Sequence, residues 1–316
     1  MISFRARRAK LKPMSNLEIL CEGLGFPEGP VIMPDGSVIL VEIQRKTLTR
    51  VWNGKRETIA EIPGGPNGAA LGPDGAIYLT NNGGFEYHDM GGLLIPGHAP
   101  KDYETGRIER VDLSTGKVER LYDKINGQRL SGPNDLVFDK SGAIWFTDLG
   151  KTYPRSSERG GLYYCKTDGS FIREAAYGGT GLNGVGLSPD EKVIYAAETE
   201  TGKLWAFDVT GEGQVAPPGL GAIGRHVFTY PGHVYFDSLA VQANGDVCVA
   251  TILNGGVTTI TPAGAFTHTP LPDPLVTNIC FGGADMRDAY VTLSGTGKLA
   301  KLRWPERGLK LNFAAY

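Results

Sequence analysis

The chain has 316 residues, and 32 basic against 34 acidic side chains leave a formal charge of −2. No basic stripe suits nucleic acid, and no run of eighteen apolar residues suits a membrane span. Glycine, at 45 residues, is about twice its average usage, while aromatic and β-branched residues are plentiful, a composition that fits a packed all-β chain with many tight turns.

The first residues, Met1 to Pro13, are basic through Arg5, Arg7, Arg8, Lys10 and Lys12 but lack the apolar centre of a signal peptide. Residues 1–14 are expected as a disordered tail and residues 15–316 as a single domain. The four cysteines, Cys21, Cys165, Cys248 and Cys280, have no C-x-x-C spacing, which predicts small buried hydrophobes of a reducing compartment and a cytoplasmic location.

A unit then recurs: an apolar run, a turn with Asp or Gly, and a second apolar run. Its copies span Phe26–Ile43, Gly64–Asn82, Ser131–Gly150, Gly181–Thr199, Tyr235–Leu253 and Val276–Ser294. Each reads as two antiparallel strands, because P-D-G and N-G-D supply turn conformations. The segments after the first four copies are alike as well: TLTRVWNGKRETIAEI, GRIERVDLSTGKVERLY, GGLYYCKTDGSFIREAA and GKLWAFDVTGEGQV. Two more strands per unit make four, the content of a propeller blade. The prediction is an all-β, six-bladed β-propeller closed by pairing of N- and C-terminal strands. Ser15–Leu24 would supply the strand that the sixth unit lacks after GKLAKLRW, removing an open edge.

In a propeller the first strand of each blade lines the central channel. One position near its start reads Glu28, Asn67, Asn134, Asn183, Asp237 and Asn278 through the six copies. A carboxylate there is partly desolvated and needs a partner or a cation. Hard oxygen donors without His or Cys favour Ca²⁺, Mg²⁺ or Mn²⁺ over a zinc site of nitrogen and sulfur, and carboxamides mixed with two carboxylates suit Ca²⁺ in particular. Glu28, Asn134, Asn183 and Asp237 are the expected metal ligands. Asn67 and Asn278 read more readily as strand-ending Asx residues.

The motifs F-P-E-G-P at Phe26–Pro30, G-P-N-D at Gly132–Asp135, L-N-G-V-G-L-S-P-D at Leu182–Asp190 and F-D-S-L at Phe236–Leu239 together carry a resemblance. The chain resembles the SMP-30/gluconolactonase/LRE-like family of six-bladed propellers, to which regucalcin and bacterial gluconolactonases belong. The resemblance covers about Leu17 to Trp304. It implies one Ca²⁺ or similar ion, with Mg²⁺, Mn²⁺ or Zn²⁺ as alternatives, held by Glu28, Asn183 and Asp237. It also implies that Asn134 adds a ligand or a substrate contact and that Asp237 serves as general base. Regucalcin has an arginine two residues before the matching asparagine, where this chain has Gly132. The G-P-N-D form resembles the gluconolactonase branch instead.

The implied reaction is hydrolysis of a small lactone, in which the ion polarises the ring carbonyl and a carboxylate takes a proton from water. Asp237 is the first candidate base and Asp148, at the end of IWFTDLG, the second, although a turn-capping role accounts for Asp148 equally well. The longest departure from the repeat, Asn82 to Arg107, carries Phe85, Tyr87, His88, His98 and Tyr103 and is expected as a lid or pocket wall. Asn81 and Asn82 are aligned with Thr147 and Asp148 of the third unit. Asn67, Asn82, Asn134, His88 and Tyr153 are the candidate substrate contacts, with Arg155 at the rim; His88 and His98 read mainly as surface histidines. The expected partner is a small lactone, with no nucleic acid and no membrane. Two other functions use the same fold: an organophosphate-type hydrolase on the same calcium site, which diisopropylfluorophosphatase resembles, and a non-catalytic calcium-binding or interaction propeller.

Overall fold

Each repeated turn closes in the same way. Met33, Gly72, Asp139, Ser188 and Gln242 each donate their backbone N–H to a carbonyl four or five residues on, at 2.8–2.9 Å. The left-handed residue this requires is glycine at Gly36, with φ of 80°, but a glutamate at Glu191, with φ of 57°. These turns set the strand pairing of a computed structural model that describes residues 17–314. The predicted tail, 1–14, lies outside the described residues.

Six four-stranded antiparallel blades result. From the inside outward, blade 1 comprises Pro27–Ile32, Val38–Glu42, Thr47–Trp52 and Lys55–Glu61, and blade 2 Pro66–Leu71, Ile77–Asn81, Arg107–Val111 and Val118–Tyr122. Blade 3 comprises Pro133–Phe138, Ile144–Asp148, Gly160–Cys165 and Ile172–Gly179. Blade 4 has Leu182–Leu187, Val193–Glu198, Lys203–Gly211 and Arg225–Thr229, and blade 5 has Tyr235–Val241, Val247–Ile252, Gly256–Ile260 and Phe266–Pro270. Blade 6 joins Val276–Gly282, Asp288–Leu293 and Lys298–Arg303 to the N-terminal strand Glu18–Cys21. The predicted closure is therefore present, with Glu18 opposite Lys301 and Ile19 opposite Ala300.

Blade 4 departs from the expected pattern. GEGQV does not form its outer strand: only Gln214–Val215 pairs back, and the outer position goes to Arg225–Thr229. The intervening APPGLGAIG is too rich in Gly and Pro to continue a ladder, so the chain loops out and re-enters.

Apolar side chains fill the spaces between blades. Trp145 and Leu162 of blade 3 pack on Leu182, Ile194 and Phe207 of blade 4, and Phe228 and Phe236 lie in the next layer. At about 1.5–3 kcal/mol for each fully buried large side chain, these interfaces supply the main attraction between blades. All four cysteines are free, and burial raises the pKa of each thiol, so they pack as the small hydrophobes expected. No helix among the described residues is long and apolar enough to cross a membrane.

Past Arg303 the chain runs beneath the ring. Gly308 and Leu309 bond to Met286 and Val241 through their backbones, and Asn312 Nδ2 donates to Phe138 O and Glu191 Oε1 at 3.1 and 2.7 Å. This segment floors a channel cavity of about 140 Å³ whose walls include Asp135, Val185 and Asn278.

Candidate metal centre and active site

Every inner strand is irregular at the same place. The register slips just after Glu28, Pro66, Pro133, Leu182 and Phe236, and between Val276 and Asn278. A bulge re-aims a side chain out of the sheet ladder. Here the slip contains Asn67, Asn134, Asn183 and Asp237 and borders Glu28 and Asn278, so a similar local distortion recurs at the polar position of every blade. Close packing of neighbouring strands at the bulge demands glycine: a Cβ on Gly29, with φ of 54°, would meet Ala69 N at 2.6 Å, and one on Gly184 would meet Leu239 N at 2.5 Å.

Hydrogen bonds divide the six into two groups. Asn278 Nδ2 donates to Glu28 Oε2 at 2.8 Å. Asn67 Nδ2 donates to the Asn134 carbonyl at 2.8 Å, while its Oδ1 accepts from Asn82 Nδ2 at 3.2 Å. These two asparagines are thus held by protein. Asn134 Oδ1 and Asn183 Oδ1 are buried and have no partner among the described residues. Their backbones are nevertheless fixed, because Thr80 Oγ1 donates to Asn134 O at 2.5 Å and the Thr147 hydroxyl donates to Asn183 O. Asn183 Nδ2 donates to Thr199 Oγ1 at 3.1 Å, which sets the direction of its carboxamide.

The carboxylates are under electrostatic load. Burial lifts the pKa of Glu28 to about 7, against the hydrogen bonds from Thr277, Asn278 and the Gly29 N–H that favour its charged form. Asp237 is pushed well above the carboxylate range, first by burial and then by the charge of Glu28. The inner strands thus carry two mutually repelling carboxylates and two carboxamide oxygens that have no partner among the described residues. The chemistry of these atoms fits a hard divalent ion.

Asp148 lies elsewhere in the hydrogen-bond pattern. Its carboxylate accepts the backbone N–H groups of Ser131, Gly132 and Gly150 at 2.7–2.9 Å. Equivalent strand ends do the same in other blades: Glu42 accepts from Gly25 at 2.6 Å, Asn81 from Gly65 at 2.8 Å and Glu198 from Thr180 at 2.7 Å. In blades 1 to 4 the position is a clasp on the turn that enters the inner strand. Asn81, opposite Pro66, is the counterpart of Asp148, opposite Pro133, so the alignment drawn from the sequence is one residue out of step.

The insertion is tied to its neighbours at two points. It folds a small hairpin, Tyr87–Asp89 with Leu94–Pro96, and the backbone N–H of Leu94 bonds to Gly295 O while that of Ala99 bonds to Thr152 O, both at 2.9 Å. His88 is exposed on this hairpin. Tyr153 sits at the rim, where its hydroxyl accepts from Arg129 Nη2 at 3.1 Å. The amide of Asn82 is engaged internally, donating to Asn67 and accepting the Gly84 N–H at 2.7 Å.

Asp135 and Lys151 carried little signal in the sequence, and Tyr87 stood out there only as part of the insertion. Asp135 occupies the position where four other copies have the small residues Gly29, Gly68, Gly184 and Ser238 and the sixth has Ile279, and burial raises its pKa to about 7 with help from the charge of Glu28. That substitution of Asp for small residues was the available clue. The Tyr87 hydroxyl is buried without a partner among the described residues, its ring is 5.5 Å from that of Phe26, and burial and then Glu28 raise its pKa well above the usual value. Lys151, immediately after the Asp148–Gly150 clasp, is only 1 % exposed. Gly132 has no room for a side chain: a Cβ there would meet Gly150 O at 2.4 Å.

A six-bladed propeller with an oxygen-donor ring at the start of its inner strands is the class that fold and site define. The chain belongs to the SMP-30/gluconolactonase/LRE-like family, whose region matches residues 26–295. A gluconolactonase of Zymomonas mobilis is 27% identical over 221 residues, 62% of this chain and 56% of that protein. Lactonase drp35 of Staphylococcus aureus (strain MRSA252) is 30% identical over 240 residues, 75% of this chain and 64% of that protein. The match therefore spans less than two thirds of either relative's length. Among solved structures, a gluconolactonase of Xanthomonas campestris superposes with a TM-score of 0.70 at 23% identity, covering 92% of this chain and 89% of that one. A calcium-binding regucalcin of Agrobacterium tumefaciens gives 0.71 at 17% identity, covering 96% and 100%. At such identities the structural likeness is one of fold.

Proposed function

We propose that the chain is a lactonase that works with one divalent cation, Ca²⁺ in the first instance, held by Glu28, Asn134, Asn183 and Asp237. The observation that carries this reading is the pair of buried, unpartnered oxygens Asn134 Oδ1 and Asn183 Oδ1, set among carboxylates whose pKa values are raised. Calcium accepts such mixed carboxylate and carboxamide sets. When bound, the ion supplies Lewis acidity toward an ester carbonyl.

The side chains then divide the work. Glu28, fixed by Asn278 and the Gly29 N–H, keeps its position as a ligand. Asp237 accepts the proton of the attacking water, since Asp148 is occupied by three backbone N–H groups. The Tyr87 hydroxyl, a buried donor within electrostatic reach of Glu28, donates to an oxygen of the substrate. With no side chain possible at Gly132, no cation projects from that turn to hold an anionic substrate, which favours small neutral lactones.

The test is an assay of aldono-, aliphatic and aromatic lactones after chelation, with Ca²⁺, Mg²⁺, Mn²⁺ or Zn²⁺ restored singly. Hydrolysis should require a metal and fall sharply in Glu28→Gln and Asp237→Asn. Metal-independent turnover, or hydrolysis of phosphotriesters with every lactone untouched, would sink the proposal.

A further inference from the structure

Lys151 is a buried lysine with no carboxylate in ion-pair contact among the described residues. Its Nζ donates to Gly84 O at 2.5 Å and stands 4.2 Å from the ring centroid of Phe85 and 5.1 Å from that of Tyr103. Gly84 and Phe85 open the insertion, and Tyr103 closes it by donating its hydroxyl to Ser131 O at 2.6 Å. A single side-chain nitrogen from blade 3 therefore reaches both ends of the blade 2 insertion. Burying a cation costs free energy unless it is well partnered, and aromatic faces and one carbonyl are the partners provided.

The grip continues inward without a break. The Gly84 N–H donates to Asn82 Oδ1 at 2.7 Å, Asn82 Nδ2 to Asn67 Oδ1 at 3.2 Å, and Asn67 Nδ2 to Asn134 O at 2.8 Å. Each amide both accepts and donates, so the chain has one direction and ends on the residue whose own Oδ1 has no partner among the described residues. Linked amides of this kind polarise and orient one another.

We infer that Lys151 is a positioning residue that, through Gly84, Asn82 and Asn67, holds the backbone carbonyl of Asn134, and with it the position of that residue toward the cation, and fixes the wall of the mouth. The last link rests on the proposed metal site. Supports behind a ligand typically change metal affinity when removed, and coupling along a shared network is non-additive.

The experiment measures Ca²⁺ affinity by calorimetry in the wild type, Lys151→Met, Asn82→Leu and the double variant, together with hydrogen exchange at the Gly84 amide. Methionine fills the aromatic box without the charge or the donor; Asn82→Ala replaces Asn82→Leu if the latter does not fold. Each single variant is expected to raise the dissociation constant roughly three- to tenfold. The double variant should be no worse than the weaker single variant, and Gly84 should exchange faster in Lys151→Met. A folded Lys151→Met with affinity within about twofold of wild type, or a double variant whose losses multiply, overturns the inference. A wild-type chain that binds no divalent cation overturns the metal reading and with it the link to Asn134. Unchanged Gly84 exchange in Lys151→Met separately overturns the anchoring of the wall.

Discussion

Asn278 Nδ2 and Glu28 Oε2, 2.8 Å apart, are 250 residues apart in sequence and join the last inner strand to the first. The contact sits beside the seam where the N-terminal strand completes blade 6, so closure of the ring and orientation of a candidate ligand are one event. Ser294 Oγ donates to Pro27 O at 2.6 Å across the same seam. Asn278→Ala should therefore weaken cation binding more than it lowers melting temperature. An affinity loss of about tenfold is expected, read by calorimetry beside a thermal melt. A large drop in melting temperature with unchanged affinity would show that the contact serves closure alone.

Glu28 and Asp237 should trade stability against binding. At neutral pH, burial and mutual repulsion disfavour their charged forms in the metal-free chain. Neutral isosteres remove that repulsion, so metal-free Glu28→Gln and Asp237→Asn should melt above the wild type while losing cation affinity by about a hundredfold or more. Chemical denaturation after chelation gives the first quantity and calorimetry the second. Variants that are both less stable and still tight binders would contradict the ring of oxygens.

The pH dependence comes from the same groups. Glu28 and Asp135 have folded pKa values near 7, above their unfolded values. Between about pH 4.5 and 7 the folded, metal-free chain thus binds more protons than the unfolded one, and its stability falls as pH rises through that window. Cation binding must expel those protons. Affinity should therefore drop on acidification below pH 7, and calorimetry in buffers of different ionisation enthalpy should show proton release. A flat pH profile with no release would exclude Glu28 as a ligand.

Asp148 separates a structural carboxylate from a catalytic one. Asp148→Asn puts an amide against backbone N–H groups of Ser131, Gly132 and Gly150. Loss of charge-assisted bonds at a buried site predicts about 2–4 kcal/mol of destabilisation. The pH profile of kcat should keep its shape, whereas Asp237→Asn should abolish the basic group it reports. A profile altered by Asp148→Asn in a fully folded enzyme would restore it as the base.

Six blades, the closing strand and the inner-strand oxygens were legible because each is written in local repeats: alternation, P-D-G turns and one polar residue at a fixed offset. Asn67 and Asn278 were set apart from the other asparagines as strand-ending Asx residues, yet what engages them is cross-blade bonding, Asn67 to Asn134, 67 residues apart, and Asn278 to Glu28. Asp148 looked catalytic because its carboxylate stood at a strand end near the mouth. Only spatial superposition of Glu42, Asn81 and Glu198 reveals a shared clasp, since their side chains differ. The outer strand of blade 4 was missed because a loop rich in Gly and Pro separates it from its hairpin partner. Lys151 left no mark, since a lone lysine ordinarily reads as solvated surface.

Burial of Lys151 has its own measurable signature. Burial pushes its pKa down to about 7, against the raising influence of Asp148 and Glu158. Arg129 is close by, 5.1 Å from the Tyr103 ring, and Tyr103 and Tyr153 complete the titratable surroundings. In the unfolded chain the same amine titrates near 10.4. Between these values the unfolded state holds a proton that the folded state lacks, so this residue makes stability rise with pH. Other groups titrate in the same window, and the difference between wild type and Lys151→Met cancels them. That difference should shift in favour of the wild type from pH 7 to 10, by up to about 4 kcal/mol. Urea unfolding of both proteins across the range measures it, and a difference independent of pH would mean that the amine is hydrated rather than boxed between Phe85 and Tyr103.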